Sequence, residues 1–391
     1  MVTRLPPILC LSTEDWDTPL PTNKKQLMSR FAAGGTPVLW VDTVGTRRPR
    51  LSRKDFLRIA RRLIAGARPT VPQPGLRRVS PLVIPGGWKR LNRLLFKKSL
   101  WGAMQQSRIS GYLLWVYNPY AVDYLPALSP PRLIVYHCVD DLSTVPGARG
   151  TAIRRAEEAL LRRADLVFCT APILFERCRA FNEHTHYLPN VADFKHFAQA
   201  GQQGDVPGRI QTIPPPRVVF AGHLVDYKID FDLLAATARA RPHWQFILIG
   251  PEWPGNAPGS LNAVKRMPNV HFTGGVPYEL LPDWLRGADV LILPYRLGPR
   301  TRTIFPLKLF EFLATGKPVV ATALPALLEF AGLIPLTDSP GAFIEAIEGA
   351  LSGAQNGKQA DRLALARANT WETRIDQMTS LIMARLKKKS T

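Results

Sequence analysis

Short apolar runs alternate with amphipathic segments along this chain. The runs at Pro7–Ser12, Pro37–Val41, Val79–Ile84, Tyr112–Val116, Leu133–Tyr136 and Leu166–Cys169 have the length and flanking residues of strands. Helical periodicity predicts helices near Lys24–Ala33, Arg53–Ile64 and Arg149–Arg163, and again through Trp88–Trp101, with a proline-rich connector before Val79. A second alternating set follows, with strands at Arg217–Ala221, Phe246–Gly250, Val270–Thr273, Asp289–Leu293, Pro318–Ala321 and Leu333–Pro335. Strands that alternate with helices form parallel sheets, because a parallel neighbour needs a crossover long enough to hold a helix. Gly201–Pro216, rich in Gly, Gln and Pro, has the composition of a linker between the two sets. The pattern predicts an α/β protein of two Rossmann-like, doubly wound domains facing each other across a cleft. Residues 1–187 make the first domain, 188–216 the connection and 217–368 the second. In residues 369–391, Trp371, Ile375, Met378, Ile382 and Leu386 recur at helical spacing, which predicts a helix packing back on the first domain.

One stretch departs from ordinary amphipathicity. In T-I-F-P-L-K-L-F-E-F-L-A-T-G-K-P-V-V-A-T, residues 303–322, apolar side chains cover most of a helical circumference before a buried strand begins. Pro306 suits a first helical position, and Gly316 then Pro318 supply a stop. At 100° per residue, Lys308, Glu311 and Thr315 fall within a sector of roughly 60°. A polar stripe on an otherwise buried helix faces a partner or a cavity. The competing reading is a plain i,i+3 ion pair.

Length and charge change this picture in two ways. At 391 residues the chain exceeds one ordinary core, in keeping with two domains. The net charge is +21, and Arg47 to Lys98 holds sixteen Lys or Arg against the single acid Asp55. Such a field attracts nucleic acid, acidic headgroups or phosphorylated substrates. Within it, Trp88, Leu91, Leu94, Leu95 and Trp101 alternate with Lys89, Arg90, Arg93, Lys97 and Lys98, as in a helix lying on an anionic membrane surface. An internal helix with a solvated basic side is the alternative. No RNP, helix-turn-helix or zinc-finger pattern accompanies the basic residues, so no nucleic-acid partner is expected. The cysteines Cys10, Cys138, Cys169 and Cys178 are scattered without metal-ligand spacing and read as reduced core residues of a cytosolic protein. No leader and no long apolar run stands out, so the chain reads as neither exported nor membrane-spanning. His184 and His186 lack a nearby third ligand and read as strand-edge residues, and D-W-D at Asp15–Asp17 reads as a chance match to a metal motif.

Candidate chemistry gathers where strands end. In V-V-F-A-G-H-L-V-D-Y-K, a strand runs into Gly222, with His223 and Lys228 able to reach an anion held by backbone N–H groups. P-Y-R-L-G-P-R-T-R-T crowds Arg296, Arg300 and Arg302 just before the Lys308 helix, a loop suited to a diphosphate. Each loop has an ordinary structural reading as well. There is neither a G-x-G-x-x-G nor a P-loop lysine motif, which removes the usual dinucleotide and NTPase fingerprints. In the first half, I-V-Y-H-C-V-D-D-L-S ends a strand with His137, Asp140 and Asp141. These are candidates for groups near a reacting centre, or else for helix caps and arginine partners.

Several of these segments together resemble one family. G-H-L-x-x-x-K, W-Q-F-I-L-I-G-P, P-N-V-H-F-T-G, L-P-D-W-L-R-G-A-D-V-L-I-L-P-Y and P-L-K-L-F-E-F-L-A-T-G-K-P-V-V look like the C-terminal domain of GT-B glycosyltransferases of family 4, also called group 1. L-P-N-V-A-D-F-K-H-F is similar to the family's interdomain motif, with Val191 where glycine is usual. The resemblance is dense from Leu188 onward and thin before it. It implies a GT-B fold and a hexosyltransferase-like activity (EC 2.4) that uses a UDP- or GDP-sugar, with no metal and no cofactor. Glu311 would bind the donor ribose, His223 and Lys228 the diphosphate, and Gly274 to Tyr278 the base. The loop carrying Asp15, Trp16 and Asn23 would face the acceptor, a lipid-linked sugar or a glycan. The implied place of work is the inner face of the cell membrane, in polysaccharide assembly. The family often has a second glutamate eight residues before Glu311; here that position is Thr303, as in branches with a P-x-K-x-x-E pattern that lack it too, so the resemblance leaves open the contact to the transferred sugar and the choice between retention and inversion. A non-catalytic homologue, a sugar-nucleotide epimerase of the same architecture and a basic nucleic-acid-binding protein are the alternatives.

Overall fold

The computed structural model of the chain describes residues 4–18, 22–43, 69–81, 83, 89–145, 147–253 and 259–390. The chain divides into two units, Met1–Leu188 with Ile375–Thr391, and Pro189–Arg374.

Among the described residues, the first unit holds eight strands: β1 Ile8–Leu11, β2 Val38–Val41, β3 Thr70–Gln73, β4 Leu76–Val79, β5 Leu113–Val116, β6 Leu133–Cys138, β7 Leu166–Cys169 and β8 Thr185–Tyr187. They lie in the order β3-β4-β2-β1-β5-β6-β7-β8, all parallel except β3. Strands β1, β2, β5 and β7 are buried at every position, as unbroken apolar runs require when both sheet faces are covered. Trp40, Trp115, Tyr136 and Phe168 fill the centre. The helices are α1 Asn23–Ala33, α2 Lys89–Gln106, α3 Gly150–Leu161 and α4 Pro172–Arg179, the last with proline in its first turn.

Two expectations change here. The strand expected at Val79–Ile84 lies earlier, at β4, and the proline-rich connector contains β3. Gly75 makes the tight turn between them at φ +77°. Pro72 is tolerated because β3 is an edge strand. The helix expected at Arg53–Ile64 lies outside the described residues.

The second unit has its strands in the order β11-β10-β9-β12-β13-β14, with β9 Arg217–Ala221, β10 Gln245–Ile249, β11 Val270–Gly274, β12 Val290–Leu293, β13 Val319–Thr322 and β14 Leu336–Thr337. All are parallel, and the order reverses beside β9, the switch point at which such sheets bind ligands. Helices α5 Phe194–Ala198, α6 Gly208–Gln211, α7 Phe231–Ala240, α8 Ser260–Lys265, α9 Leu281–Arg286, α10 Lys308–Ala314, α11 Pro340–Leu351 and α12 Gln359–Ala368 complete it. Helix α13, Trp371–Ser390, starts here, and its residues from Ile375 on belong to the first unit. There Met378, Ile382 and Leu386 are buried and Lys389 meets Asp165 at 2.9 Å.

The strand expected at Leu333–Pro335 begins later, at β14. The N–H groups of Leu333 and Ile334 both turn back to the Phe330 carbonyl and are unavailable to the sheet. The connection expected over 188–216 is also different, since from Pro189 on it packs within the second unit. Phe197, Ala200 and Ile210 are fully buried anchors in an otherwise polar run, and Asp193 caps α5 through the His196 N–H at 3.1 Å. Helix α10 starts two residues after Pro306, whose carbonyl accepts from Leu309.

Gly250 ends β10 at φ +145°, and a Cβ there would sit 1.8 Å from the Gly222 carbonyl oxygen. This packing holds the β9 and β10 ends together under the loop that carries His223. Gly250→Ala is therefore expected to destabilise the protein by about 3 kcal/mol or more, read as a shift of the urea midpoint. A midpoint unchanged within error would show that the two strand ends can separate.

Candidate functional site

At the carboxyl ends of β9 and β12, two loops are laced into one wall. The Asp230 N–H donates to the Pro294 carbonyl at 2.8 Å, and the Arg296 N–H donates to the Lys228 carbonyl at 2.8 Å. Gly222 donates its N–H to Ile249 at 2.8 Å, and His223 stands beside it with its ring edge-on to Trp253, 5.6 Å away. Burial, then the charge of Lys228, pushes the His223 imidazole below its ordinary pKa, so at neutral pH it is a neutral donor or acceptor. Arg296 pairs with Asp232 at 3.1 Å, whereas Arg300 and Arg302 are exposed. Thr303 is buried, its hydroxyl turned to the Arg300 carbonyl at 3.5 Å.

Helix α10 follows this wall. Lys308 and Glu311 do pair across one turn, but with side chains only 18% and 9% exposed, so the pair is not a solvated surface pair. Burial, then the nearby Glu311 carboxylate, raises the Tyr295 phenol. The ammonium of Lys308 lies 6.0 Å from the centre of the Phe197 ring. That ring also meets Tyr278 edge-on at 5.6 Å, and Tyr278 stacks on His196 at 4.6 Å. The His196 ring nitrogen lies 2.9 Å from the Tyr278 carbonyl. Helix α5 thus braces the Gly274–Tyr278 loop and the Lys308 side chain together. Sequence reading missed His196 and Phe197, although F-K-H-F carries them in plain view. Nearby, buried Asn190 donates to the Phe305 carbonyl at 2.7 Å and anchors the approach to α10.

In the first unit, Asp42 follows β2 and gathers the loop that carries Asp15 and Trp16. Its carboxylate accepts from the Trp16 N–H at 2.9 Å, Trp40 Nε1 at 3.2 Å, Arg78 Nε at 2.8 Å and the Ser80 hydroxyl. Trp16 packs edge-on against Trp40 at 5.1 Å, and Asn23 is buried at the start of α1. Asp17 pairs with Arg78 at 2.5 Å. His184 and His186 flank Thr185 at the edge strand β8, as expected.

Residues 215–353 match the family described as Glycosyl transferases group 1. Most of the second unit is thus similar to group 1 glycosyl transferases. TuaH of Bacillus subtilis (strain 168), named as a teichuronic acid biosynthesis glycosyltransferase, is 32% identical over 244 residues. That match spans 57% of this chain and 58% of TuaH. Among solved structures, sucrose-phosphate synthase from Thermosynechococcus elongatus superposes with a TM-score of 0.69 at 20% identity, covering 97% of this chain and 99% of that one. HepE of Anabaena, in complex with UDP and glucose, gives 0.62 at 17% identity over 96% and 99%. The fold is GT-B.

Against this glycosyl transferase frame, three first-unit expectations need correction. His137 is buried in the core, its ring 5.1 Å from Tyr117 and 5.8 Å from Trp115. Because β6 is covered on both faces, alternation along it does not say which residues reach a surface. Asp141 is buried and accepts from Arg177 at 2.8 Å, Arg154 at 2.9 Å and the Ser143 hydroxyl at 2.5 Å. Burial raises its pKa, but Ser143 and the two guanidiniums outweigh this and hold the carboxyl below its usual range, making it a poor base. Asp140 is half-buried and forms no ion pair with any described residue. It remains the acid of the pair that is open to chemistry. Third, Arg93 turns inward and donates to the Asp123 carbonyl at 2.6 Å.

The outer surface of α2 carries apolar and basic side chains side by side, not on opposite faces as the sequence pattern suggested. Phe96, Ser99, Leu100 and Ala103 are buried, while Leu91, Leu94 and Trp101 are 38%, 65% and 61% exposed. Arg90, Lys97 and Lys98 are exposed with them. At 100° per residue these six share an arc of roughly 120° opposite the buried seam. Trp88 and the side chain of Lys89 lie outside the described residues.

Asp141→Asn should cost about 2–3 kcal/mol of stability at pH 7 by urea denaturation, and Asp140→Asn less than about 0.5 kcal/mol. With its folded pKa depressed, Asp141 contributes fully above the unfolded carboxylate pKa of about 3.9 and loses that contribution as pH falls through the folded value. The gap between wild type and Asp141→Asn should therefore be flat above about pH 5 and close in acid. Equal effects of the two variants would overturn the distinction.

Proposed function

We propose that this protein transfers a hexose from a UDP- or GDP-sugar to a lipid-linked or polysaccharide acceptor in cell-surface polysaccharide assembly. The observation that carries the reading is the part-buried Lys308–Glu311 pair, set beside the loop wall at the carboxyl ends of parallel strands. A carboxylate held there accepts hydrogen bonds from both hydroxyls of a ribose diol. Lys308, His223, Lys228 and Arg302 supply donors for a diphosphate, and the Gly274–Tyr278 loop receives the base. As the glycosidic bond breaks, charge gathers on the departing diphosphate. Preorganised cations lower that barrier because they need no reorganisation as the charge develops. The chemistry is thus assigned to side-chain cations, without a metal or cofactor. If the reaction inverts the anomeric centre, Asp140 is the group to take the acceptor's proton. The name of TuaH supports a cell-envelope polymer as the setting, and UDP in HepE supports the donor class.

Peripheral attachment at the inner, cytoplasmic face of the membrane completes the proposal. No helix among the described residues is long and apolar enough to cross a membrane. The outer arc of α2 instead interleaves Leu91, Leu94 and Trp101 with Arg90, Lys97 and Lys98. Apolar groups entering the headgroup layer between cations suit anionic lipid, where a lipid-linked acceptor resides.

Glu311→Gln keeps the side-chain volume but loses the charged acceptor, and should weaken UDP or GDP binding by about 10- to 100-fold, the equivalent of one charge-assisted hydrogen bond. Lys308→Met should weaken it in the same direction. Calorimetric titration that finds the wild-type affinity in both variants would remove the donor site from α10. Binding that fails in the variants while wild type transfers no sugar would instead mark a non-catalytic nucleotide-sugar binder, the outcome that Thr303 favours.

The combined change Leu94→Glu, Lys97→Ala, Lys98→Ala should lower partitioning onto phosphatidylglycerol vesicles by at least about ten-fold, given about 1 kcal/mol per cation. Undiminished co-sedimentation would exclude α2 as the membrane face.

A further inference from the structure

Three of the four cysteines, far apart in the chain, converge inside the first unit. Cys138 and Cys169 are register partners at the ends of β6 and β7, and Cys178 comes from α4, which packs on β7. Their sulfur atoms all lie within 4.8 Å of one another, and all three side chains are fully buried. All four cysteines are free and buried, as read from the sequence; their convergence is what the sequence does not show. The fold supplies the spacing that the sequence lacks.

A cluster of thiols alone would be an ordinary piece of core. This one is built around a buried acid. Glu157 of α3 places Oε1 3.6 Å from the Cys138 sulfur, and the same oxygen accepts from the Tyr136 hydroxyl at 2.7 Å and from Arg177 at 3.1 Å. Arg177 also reaches the Cys138 sulfur at 3.8 Å. The three sulfurs lie within reach of one ion, the Glu157 oxygen beside the Cys138 sulfur can turn in as a fourth ligand, and Arg177 stands by to offset surplus negative charge.

We propose that Cys138, Cys169, Cys178 and Glu157 form a structural site for a thiophilic divalent cation of the zinc type. Zinc binds thiolate sulfur at about 2.3 Å in tetrahedral sites, so its three sulfurs stand about 3.8 Å apart. From a triangle with sides of at most 4.8 Å, each sulfur needs to move inward by no more than about 0.6 Å, within reach of small side-chain rotations. Loading is balanced as three thiols and one Zn2+ giving three zinc–sulfur bonds and three protons released to solvent, with the Glu157 carboxylate as fourth ligand. Zinc stays divalent, so no oxidant or reductant takes part. Thiols must lose their protons to bind the metal, so loading rises with pH and occurs as the unit folds.

The site would also act on its surroundings. Arg177 bridges the cluster to Asp141, one residue after Asp140. A cation held by Cys138 and Glu157 would fix Arg177, and through it the loop after β6, whatever reaction that loop serves. The inference therefore stands apart from the glycosyltransferase reading.

The full-length protein should be purified from zinc-supplemented cells and, separately, refolded with and without zinc chloride. About one zinc per chain by mass spectrometry, a higher melting temperature with zinc, and a thiolate-to-metal charge-transfer band on refolding with cobalt(II) are expected. Cys178→Ser should lower the zinc content several-fold and weaken the cobalt band, and Glu157→Gln should leave a site that a chelator strips at least ten times faster. If Cys178→Ser does not fold, the cobalt spectrum of wild type still decides the matter. Fewer than about 0.1 zinc per chain with no cobalt–thiolate band would overturn the proposal, as would full zinc retention by folded Cys178→Ser.

Discussion

The central strands of both sheets are closed off from water on their two faces, and most of the chemistry follows from that constraint. A strand covered on both sides has no place for an unsatisfied polar group, since burying one costs several kcal/mol. Polar side chains with work to do are therefore displaced to the strand ends and to the first turns beyond them. Asp42 follows β2, Asp140 and Asp141 follow β6, His223 follows β9, and the arginine loop follows β12. Where a polar residue does remain inside, it is either packed among rings, as His137 is, or drawn into a network such as that of Glu157.

This constraint explains what could be read in advance. Apolar runs such as Val218–Ala221 and Leu291–Leu293 mark their strands because nothing polar interrupts them, and the all-round apolar character of α10 marks its burial. The same uniformity hides direction. Along Tyr136, His137 and Cys138 every position is buried, so alternation could not place His137 in the core or turn Cys138 toward Cys169 and Cys178. Composition misled at 188–216, where a few apolar anchors such as Phe197 and Ile210 outweigh many polar neighbours. Chain order misled at Leu333–Pro335, where a tight turn uses the N–H groups a strand would need. Periodicity found the α2 stripe but not its orientation. Only the packing of Phe96 against Tyr124 shows which face is left outside.

The pairing of Lys308 with Glu311 and the bracing of Tyr278 by α5 bear on the proposed donor site in the same way. A lysine free in water loses rotamer entropy when it binds a phosphate. Here the side chain is already confined by Glu311 and the face of Phe197, so part of that cost has been met during folding. Tyr278 is likewise stacked in place on His196. The two ends of the proposed nucleotide site share one small helix, and a shift of α5 would move both together.

Thr303 gives this arrangement its particular character. The proposed site has Glu311 as a buried acid, against Lys228, Lys308 and the exposed Arg300 and Arg302. A glutamate in place of Thr303 would be a second buried acid near Glu311, and each would disfavour ionisation of the other. The threonine avoids that repulsion, and its buried hydroxyl is met by the backbone of the same loop through Arg300. The loop wall thereby keeps a surplus of positive charge, which suits a diphosphate. What it gives up is a charged acceptor for the hydroxyls of the transferred sugar. On the proposed reading, specificity for the nucleotide half of the donor is built into α10 and its loops, and discrimination among sugars must come from other groups.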